Sequence, residues 1–238
     1  MDYPFLLTRM AVWYVIFLFS TTLHEAAHAY AGARGGDHTA YASGQVTLNP
    51  IPHIRRERFG MVVVPLLSFI LNGGEWMIGW ASAPFNPLWA ARYPRRALGM
   101  ALAGPLIHLL PALIAWIGMA AGLRSGFFGP PGLDGFSTSP VSAGWGGPLS
   151  HALAIVLGIA FQLNFVLLFF NLMPFPPMDG SEIWFQLVKS ESERLRLRQI
   201  AASYALPGML LAWYLFPRVF YPVFYSALSA LYSVGLAF

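Results

Sequence analysis

The sequence predicts an all-α polytopic membrane protein with about five to six transmembrane helices and a short β-hairpin or re-entrant element after the first. Of its 238 residues, 57% are hydrophobic and only 10% are charged, whereas soluble globular domains carry roughly 25% charged residues. Long apolar runs recur from one end of the chain to the other. Because such a chain needs the bilayer as its solvent, we expect one membrane-embedded domain over residues 1–238.

The basic residues lie in short clusters between the apolar runs. The 14 Lys and Arg residues give a formal net charge of +4, and most of them fall in residues 55–58, 92–96 and 189–198. Such clusters are typical of loops at an anionic membrane surface, and no basic stripe predicts nucleic-acid binding. The expected partner is therefore the lipid bilayer, in a multi-pass protein of the cell (inner) membrane.

Apolar segments set the order of the predicted elements. They cover residues 5–33, 59–80, 97–123, 151–170, 201–216 and 219–238. We expect a catalytic core over about 5–190, followed by two C-terminal membrane helices over about 201–238. The alternating residues 45–48, which end at Asn49-Pro50, predict a short strand or hairpin. A Gly/Pro/Ser-rich linker is expected at residues 126–150.

The first apolar run contains the motif H-E-x-x-H, formed by His24, Glu25 and His28. On a helix, residues i and i+4 share one face, so both imidazoles can reach one metal ion. Glu25 lies about 100° around the helix from His24, beside the metal rather than on it, where it can act as a base. The alternative is a chance motif with two core histidines. Three ionisable groups inside one apolar helix are energetically unfavourable, which favours the functional interpretation.

A catalytic zinc needs a third protein ligand, and the chain has no cysteine. Asp179 is the best candidate, because it follows an apolar span at a helix break rich in proline, which cannot continue a helix. The alternative is that Asp179 only caps the next helix. If Asp179 is to meet His24 and His28, the spans 5–33 and 151–170 must run in the same direction. Residues 59–80, interrupted at 72–75, are therefore predicted to be re-entrant or partial.

Two motifs together resemble the site-2 protease family of intramembrane zinc metalloproteases. They are the H-E-x-x-H of residues 24–28 and the segment N-L-M-P-F-P-P-M-D-G of residues 171–180. Residues 44–50, 79–81 and 102–106 resemble a compact bacterial-type subgroup of that family. The resemblance implies one Zn²⁺ per chain, held by His24, His28 and Asp179, with Glu25 as the catalytic base. It also implies cleavage of transmembrane segments of other proteins. Residues expected to support the substrate or the structure are Asn171, Pro174 and Gly180.

One position departs from the family pattern. Members that resemble this chain often have Asn about three residues after the Gly-Pro pair, where this chain has His108. His108 could serve catalysis by donating a hydrogen bond to the developing oxyanion, as an Asn side chain would. It could instead be an additional metal ligand, or a structural histidine bonded to another helix. The residues alone leave these three roles open.

Two other functions are compatible with part of the sequence. An inactive protease-like subunit of a larger membrane complex would keep the fold, although loss of activity usually removes a ligand or the base, and all four residues are present. A metal-ion transporter would also carry His and Glu on membrane helices, but transporters commonly show repeated broken segments, and no repeat is evident. A metalloprotease acting on transmembrane protein substrates is the preferred prediction.

Overall fold

The computed structural model describes residues 3–131 and 139–237, and it is predominantly helical. Its helices are α1 Tyr3–Gly35, α2 Thr39–Ala42, α3 Pro50–Arg56, a π-helical turn Phe59–Val63 leading into α4 Val64–Leu71, α5 Pro87–Arg92, α6 Pro94–Ile107, α7 Leu109–Arg124, α8 Gly147–Asn171, α9 Asp179–Leu187, α10 Glu191–Ser203 and α11 Ala205–Gly235. Strands β1 Phe128–Gly129 and β2 Ser142–Ala143 pair antiparallel. Part of the predicted linker, residues 132–138, lies outside the described residues. The all-α class is confirmed.

Three helical spans of the described chain are long and apolar enough to cross a membrane. They are Leu6–Gly35 within α1, Pro94–Arg124 formed by α6 and α7 together, and Gly147–Asn171, which is α8. Helices α10 and α11, bent by 77° at their junction, form a fourth if the pair counts as one span. This number is below the five to six predicted, because residues 59–71 are too short and the C-terminal region forms one long helix.

The C-terminal region differs from the two helices expected there. Helix α11 continues through Pro217 and Pro222 as one element. Each proline removes one backbone donor, but membrane helices tolerate such losses where neighbouring helices pack closely. Phe220 and Phe224 of α11 pack against Phe165 of α8, with ring centroids 5.9 and 5.7 Å apart.

Residues 59–80 form the predicted re-entrant element. After α4 the chain turns at residues 72–75, where Gly73 and Gly74 adopt positive φ angles of 64° and 82°, and then returns in extended form. On the way back Ile78 N donates to Ser68 Oγ at 3.0 Å, and Trp80 N donates to the Gly60 carbonyl oxygen at 3.1 Å. The returning chain therefore reaches the level at which the helical part began.

The predicted strand or hairpin at residues 45–48 is wrong. These residues form turns between α2 and α3, and the sheet lies elsewhere, between β1 and β2. Asn49 caps α3 instead, with its side chain accepting a hydrogen bond from Ile51 N, and Pro50 follows in the first turn. An Asn-Pro pair suits a helix start as well as a turn, which is why the alternation was misleading.

Packing brings α1, α6 and α9 together. Helix α1 lies along α6, which also contacts α9, while α7 packs against α8 and α11. The end of α1 is tied to the next elements by Trp89 Nε1, which donates to the Gly35 carbonyl oxygen at 3.2 Å. Arg194 of α10 donates to the Ala91 carbonyl oxygen at 2.8 Å. The C-terminal end of α1, helix α5 and helix α10 thus lie on one side of the bundle.

Candidate metal centre

Three side chains from two distant parts of the sequence converge on one point. His24 Nε2 and His28 Nε2 lie 3.0 Å apart. Asp179 Oδ2 lies 3.1 Å from His24 Nε2 and 3.2 Å from His28 Nε2. A tetrahedral zinc with bonds of about 2.0–2.1 Å separates its ligand atoms by about 3.3–3.4 Å. The observed triangle therefore has nearly the size that a zinc ion requires.

The protonation of His28 follows from one backbone contact. Its Nδ1 lies 2.7 Å from the carbonyl oxygen of Met100 in α6. A carbonyl oxygen can only accept, so Nδ1 carries the hydrogen and donates. In the neutral imidazole Nε2 is then unprotonated and can accept. It is directed at the point where His24 Nε2 and Asp179 Oδ2 also converge. Such a contact is the usual way in which a protein orients a metal-binding histidine.

The protonation of His24 follows from a longer chain of contacts. Asn164 Nδ2 donates to the Ala160 carbonyl oxygen at 2.8 Å, which leaves Oδ1 of Asn164 to accept from His108 Nδ1 at 2.8 Å. His108 Nε2 is then bare and accepts from His24 Nδ1 at 3.0 Å. In neutral His24 the hydrogen is therefore on Nδ1, and Nε2 is unprotonated.

With these assignments the three converging atoms are all acceptors. Asp179 Oδ2 is buried and has no hydrogen-bond partner among the described residues, although the two imidazole nitrogens are close. Three lone-pair-bearing atoms within about 3 Å repel one another unless a cation lies between them. The donor set of two imidazoles and one carboxylate, with a fourth position open, suits a catalytic zinc site. The residues present therefore fit a zinc ion.

Asp179 is held at the start of α9 by the loop that follows α8. Met178, not Asp179, occupies the capping position and makes no side-chain cap, so the capping alternative is not supported. To bind a metal ion at this point, the Asp179 carboxylate would have to be ionised, since metal ligands are deprotonated.

Glu25 lies beside this cluster without joining it. Its side chain is buried and interacts electrostatically with His24, His28 and Asp179. Within the described part of the chain its carboxylate forms no hydrogen bond or ion pair, and it is not one of the three converging groups. A buried carboxylate next to a metal position is suited to proton transfer.

Comparison with known proteins agrees with this arrangement. The model of peptidase family M50 matches residues 12–215. This range includes His24, Glu25, His28 and Asp179. The chain belongs to peptidase family M50. It is therefore a membrane protein of a metalloprotease family.

Two bacterial relatives carry names of the same kind. "Putative zinc metalloprotease YwhC" of Bacillus subtilis is 33% identical over 187 residues, which cover 78% of this chain and 72% of that protein. "Putative zinc metalloprotease Rip2" of Mycobacterium tuberculosis is 31% identical over 180 residues. That match covers 74% of this chain and 57% of Rip2, so the chain spans less than two thirds of Rip2. No solved structure gives a significant match.

His108 does not have the free nitrogen that an oxyanion donor or a fourth ligand would need in this M50 peptidase. Both ring nitrogens are engaged, one with His24 and one with Asn164, and the side chain is fully buried. Of the three roles left open for His108, these contacts favour a histidine hydrogen-bonded between helices, while its catalytic role stays a prediction. It lies at the break between α6 and α7, where Pro111 has no N–H to continue the helical bonding.

The three residues expected to give support differ in their surroundings. Asn171 ends α8, and its Nδ2 donates to the Leu167 carbonyl oxygen at 2.9 Å, while Pro174 is exposed. Among the described residues, neither makes a polar contact with His24, His28 or Asp179. Gly180 is buried, and a Cβ there would lie 2.2 Å from the Met173 carbonyl oxygen, so glycine is required to close the loop.

Sequence reasoning missed three contributors to the site. They are Asn164, the Met100 carbonyl oxygen and Gly104, which lies directly against His28. Asn164 could have been found, since a polar residue in the apolar helix α8 is as unusual as those in α1. The Met100 carbonyl carries no sequence signal, because every residue has a carbonyl.

Proposed function

We propose that this chain is an intramembrane zinc endopeptidase that hydrolyses peptide bonds within or beside transmembrane segments of other membrane proteins. The observation that supports it most directly is the convergence of three acceptor atoms at one end of a membrane-length helix. His28 and His24 stand seven and eleven residues before Gly35, which is about 10 and 16 Å along the helix axis. A site at that depth would meet substrates inside the bilayer.

Each residue has a proposed role. His24, His28 and Asp179 would hold one zinc ion, which supplies a Lewis acid for water activation and carbonyl polarisation when bound. Glu25 accepts the proton of the attacking water and delivers it to the leaving amine. Asn171 would support the substrate or the loop that carries Asp179.

The proposed substrates follow from the site's position in the bilayer. A helical transmembrane segment shields its amides in intrahelical hydrogen bonds, so the scissile part must be locally unwound before Glu25 can act. We therefore propose transmembrane proteins with weakly helical segments as substrates, in the cell (inner) membrane. A larger membrane complex could present such substrates to the enzyme.

Metal content tests the proposed ligand set. Purified wild type, Asp179→Ala and Glu25→Gln are compared by elemental mass spectrometry after removal of free metal. We expect about one zinc in wild type and in Glu25→Gln, and strong loss in Asp179→Ala. A metal-free wild type that takes up no zinc on addition would contradict the proposal and favour an inactive subunit.

Cleavage tests the proposed reaction separately. Wild type and Glu25→Gln are reconstituted in liposomes with a single-span substrate whose helix carries a central Gly/Pro interruption, and the products are mapped by mass spectrometry. We expect cuts inside the span with wild type only. Zinc binding without cleavage of any such substrate would favour the inactive-subunit alternative, and zinc flux across the liposomes would favour the transporter.

A further inference from the structure

We propose that His108 and Asn164 are positioning residues that fix the tautomer and direction of His24 for metal binding. This inference rests on the proposed zinc site. Both residues lie outside the metal-binding set itself, on α8 and at the junction of α6 and α7. Their effect passes to the metal only through the ring of His24.

The chain of hydrogen bonds has one direction. It begins at the Ala160 carbonyl oxygen, which can only accept and so fixes the orientation of the Asn164 amide. Asn164 Oδ1 accepts from His108 Nδ1 at 2.8 Å, and His108 Nε2 accepts from His24 Nδ1 at 3.0 Å. If the donor and acceptor of any one of these hydrogen bonds were exchanged, two donors or two acceptors would face each other at a neighbouring contact. Neutral His24 is thereby left with its bare Nε2 facing the metal position.

Burial makes this arrangement hard to change. His108 is fully buried and Asn164 is 1% exposed, so water cannot readily replace a lost partner. An unpaired polar group in such surroundings is unfavourable by about 1–3 kcal/mol.

The two histidines of the proposed zinc site are oriented by different groups. His28 uses a backbone carbonyl oxygen of α6, and His24 uses two side chains that connect α1 to α8.

The competing interpretation is that His108 and Asn164 merely connect helices. Under that interpretation any substitution that preserves packing should leave metal affinity unchanged. Under the proposal, only residues that present an acceptor to His24 Nδ1–H should preserve it. A His108→Gln substitution keeps both roles, since its carbonyl oxygen can accept from His24 and its amide can donate to Asn164. A His108→Leu substitution removes both.

The first measurement needs no variant. Nitrogen NMR of the wild-type protein labelled at histidine, with and without zinc, identifies which nitrogen of each ring carries hydrogen. We expect protonated Nδ1 in His24, His28 and His108, with His24 Nε2 and His28 Nε2 changing when zinc is added. A His24 ring with protonated Nε2 and bare Nδ1 in the zinc-loaded protein would overturn the proposal.

The second measurement is zinc affinity, obtained by competition with a chromogenic chelator. We expect His108→Leu and Asn164→Leu to weaken zinc binding roughly 10- to 100-fold, as loss of an outer-shell partner does, and His108→Gln to stay near wild type. Gln162→Leu is the matched control, because Gln162 is also buried in α8 but forms no hydrogen bond with His108 in the described part of the chain. We expect it to bind zinc as wild type does.

Each outcome separates this inference from the proposed function. If wild type binds zinc and all four variants bind it equally, the positioning role is wrong and the zinc site stands. If wild type binds no zinc, both are wrong. If a Leu variant does not fold, as judged by gel filtration in detergent, the tautomer measurement and His108→Gln still decide. A His108→Gln protein that is folded but binds zinc as weakly as an Asp179→Ala protein would also overturn the proposal. It would show that an acceptor facing His24 Nδ1–H is not enough to preserve zinc binding.

Discussion

Gly104 is packed so closely against His28 that a single methyl group should displace Nε2, the nitrogen proposed to bind zinc. A Cβ at position 104 would lie 2.1 Å from His28 Nε2 and 2.5 Å from Cε1. Ordinary van der Waals contact begins near 3.4 Å, so Nε2 would have to move by about 1.3 Å, the difference between 3.4 and 2.1 Å. Gly104→Ala is therefore a substitution aimed at one atom of the site.

The displacement can be compared with the tolerance of a zinc bond. Zinc–nitrogen distances lie near 2.0–2.1 Å, and functional sites keep them within about 0.2 Å. A shift of 1.3 Å exceeds this tolerance several-fold, and the Nδ1 contact of His28 with Met100 restrains the ring from rotating away. We expect Gly104→Ala to lose more than roughly 100-fold in zinc affinity, beyond the usual effect of an outer-shell change.

Gly99 of the same helix provides the control. A Cβ at position 99 would meet no atom within 4 Å, and alanine favours a helix over glycine by about 1 kcal/mol. We expect Gly99→Ala to bind zinc as wild type does, with an equal or higher Tm. Zinc affinity is measured by chelator competition, and folding by circular dichroism and gel filtration. A folded Gly104→Ala protein with wild-type zinc affinity would refute the reasoning.

Three further predictions concern residues around the site and the re-entrant element. Glu25→Gln should retain zinc yet lower the cleavage rate by roughly 10²- to 10⁴-fold or more, and unchanged turnover would exclude Glu25 as the base. Gly180→Ala should weaken zinc binding, because its Cβ would lie 2.2 Å from a loop carbonyl oxygen and shift Asp179; a wild-type affinity would show that the loop adapts. Glu75→Gln should lower the Tm, because the guanidinium of buried Arg9 loses the negative charge that faces it at 3.4 Å. Adding Arg9→Met should restore part of the loss, and a further decrease in Tm would argue against an unpaired charge as the cause.

Much of the candidate metal centre could be predicted because His24, His28 and Asp179 lie in local patterns. The spacing of His24 and His28 fixes their shared helix face, and the proline-rich break before Asp179 marks irregular chain at the end of a span. The re-entrant element could also be predicted, because the requirement that α1 and α8 run in the same direction leaves room for only one full crossing between them. These features depend on helix periodicity and on counting spans.

The remaining features depend on contacts that no local pattern encodes. The role of His108 required knowing that Asn164, 56 residues away in sequence, lies against its Nδ1. The continuity of α11 depends on packing against α8, and Pro217 and Pro222 alone suggested an interruption. The hairpin at 45–48 failed because alternation over four residues is a weak signal next to the Asn-Pro start of α3.

The re-entrant element determines which parts of the chain share a side of the membrane. Because it returns to its starting level, residues 36–58, 80–93 and 188–198 lie at the end of the bundle marked by Gly35, as the contacts of Trp89 and Arg194 show. The sheet of β1 and β2 lies at the opposite end, where Tyr232 of α11 donates to the Pro140 carbonyl oxygen at 2.9 Å.

All three basic clusters, at residues 55–58, 92–96 and 189–198, therefore fall on one side. The positive-inside rule then predicts that this side faces the cytoplasm, with the metal centre nearer to it and the sheet facing away. A full crossing at residues 59–80 would have divided the clusters between the two sides. Since the chain has no cysteine, single cysteines placed at Trp145 and at Lys189 can report orientation without background labelling.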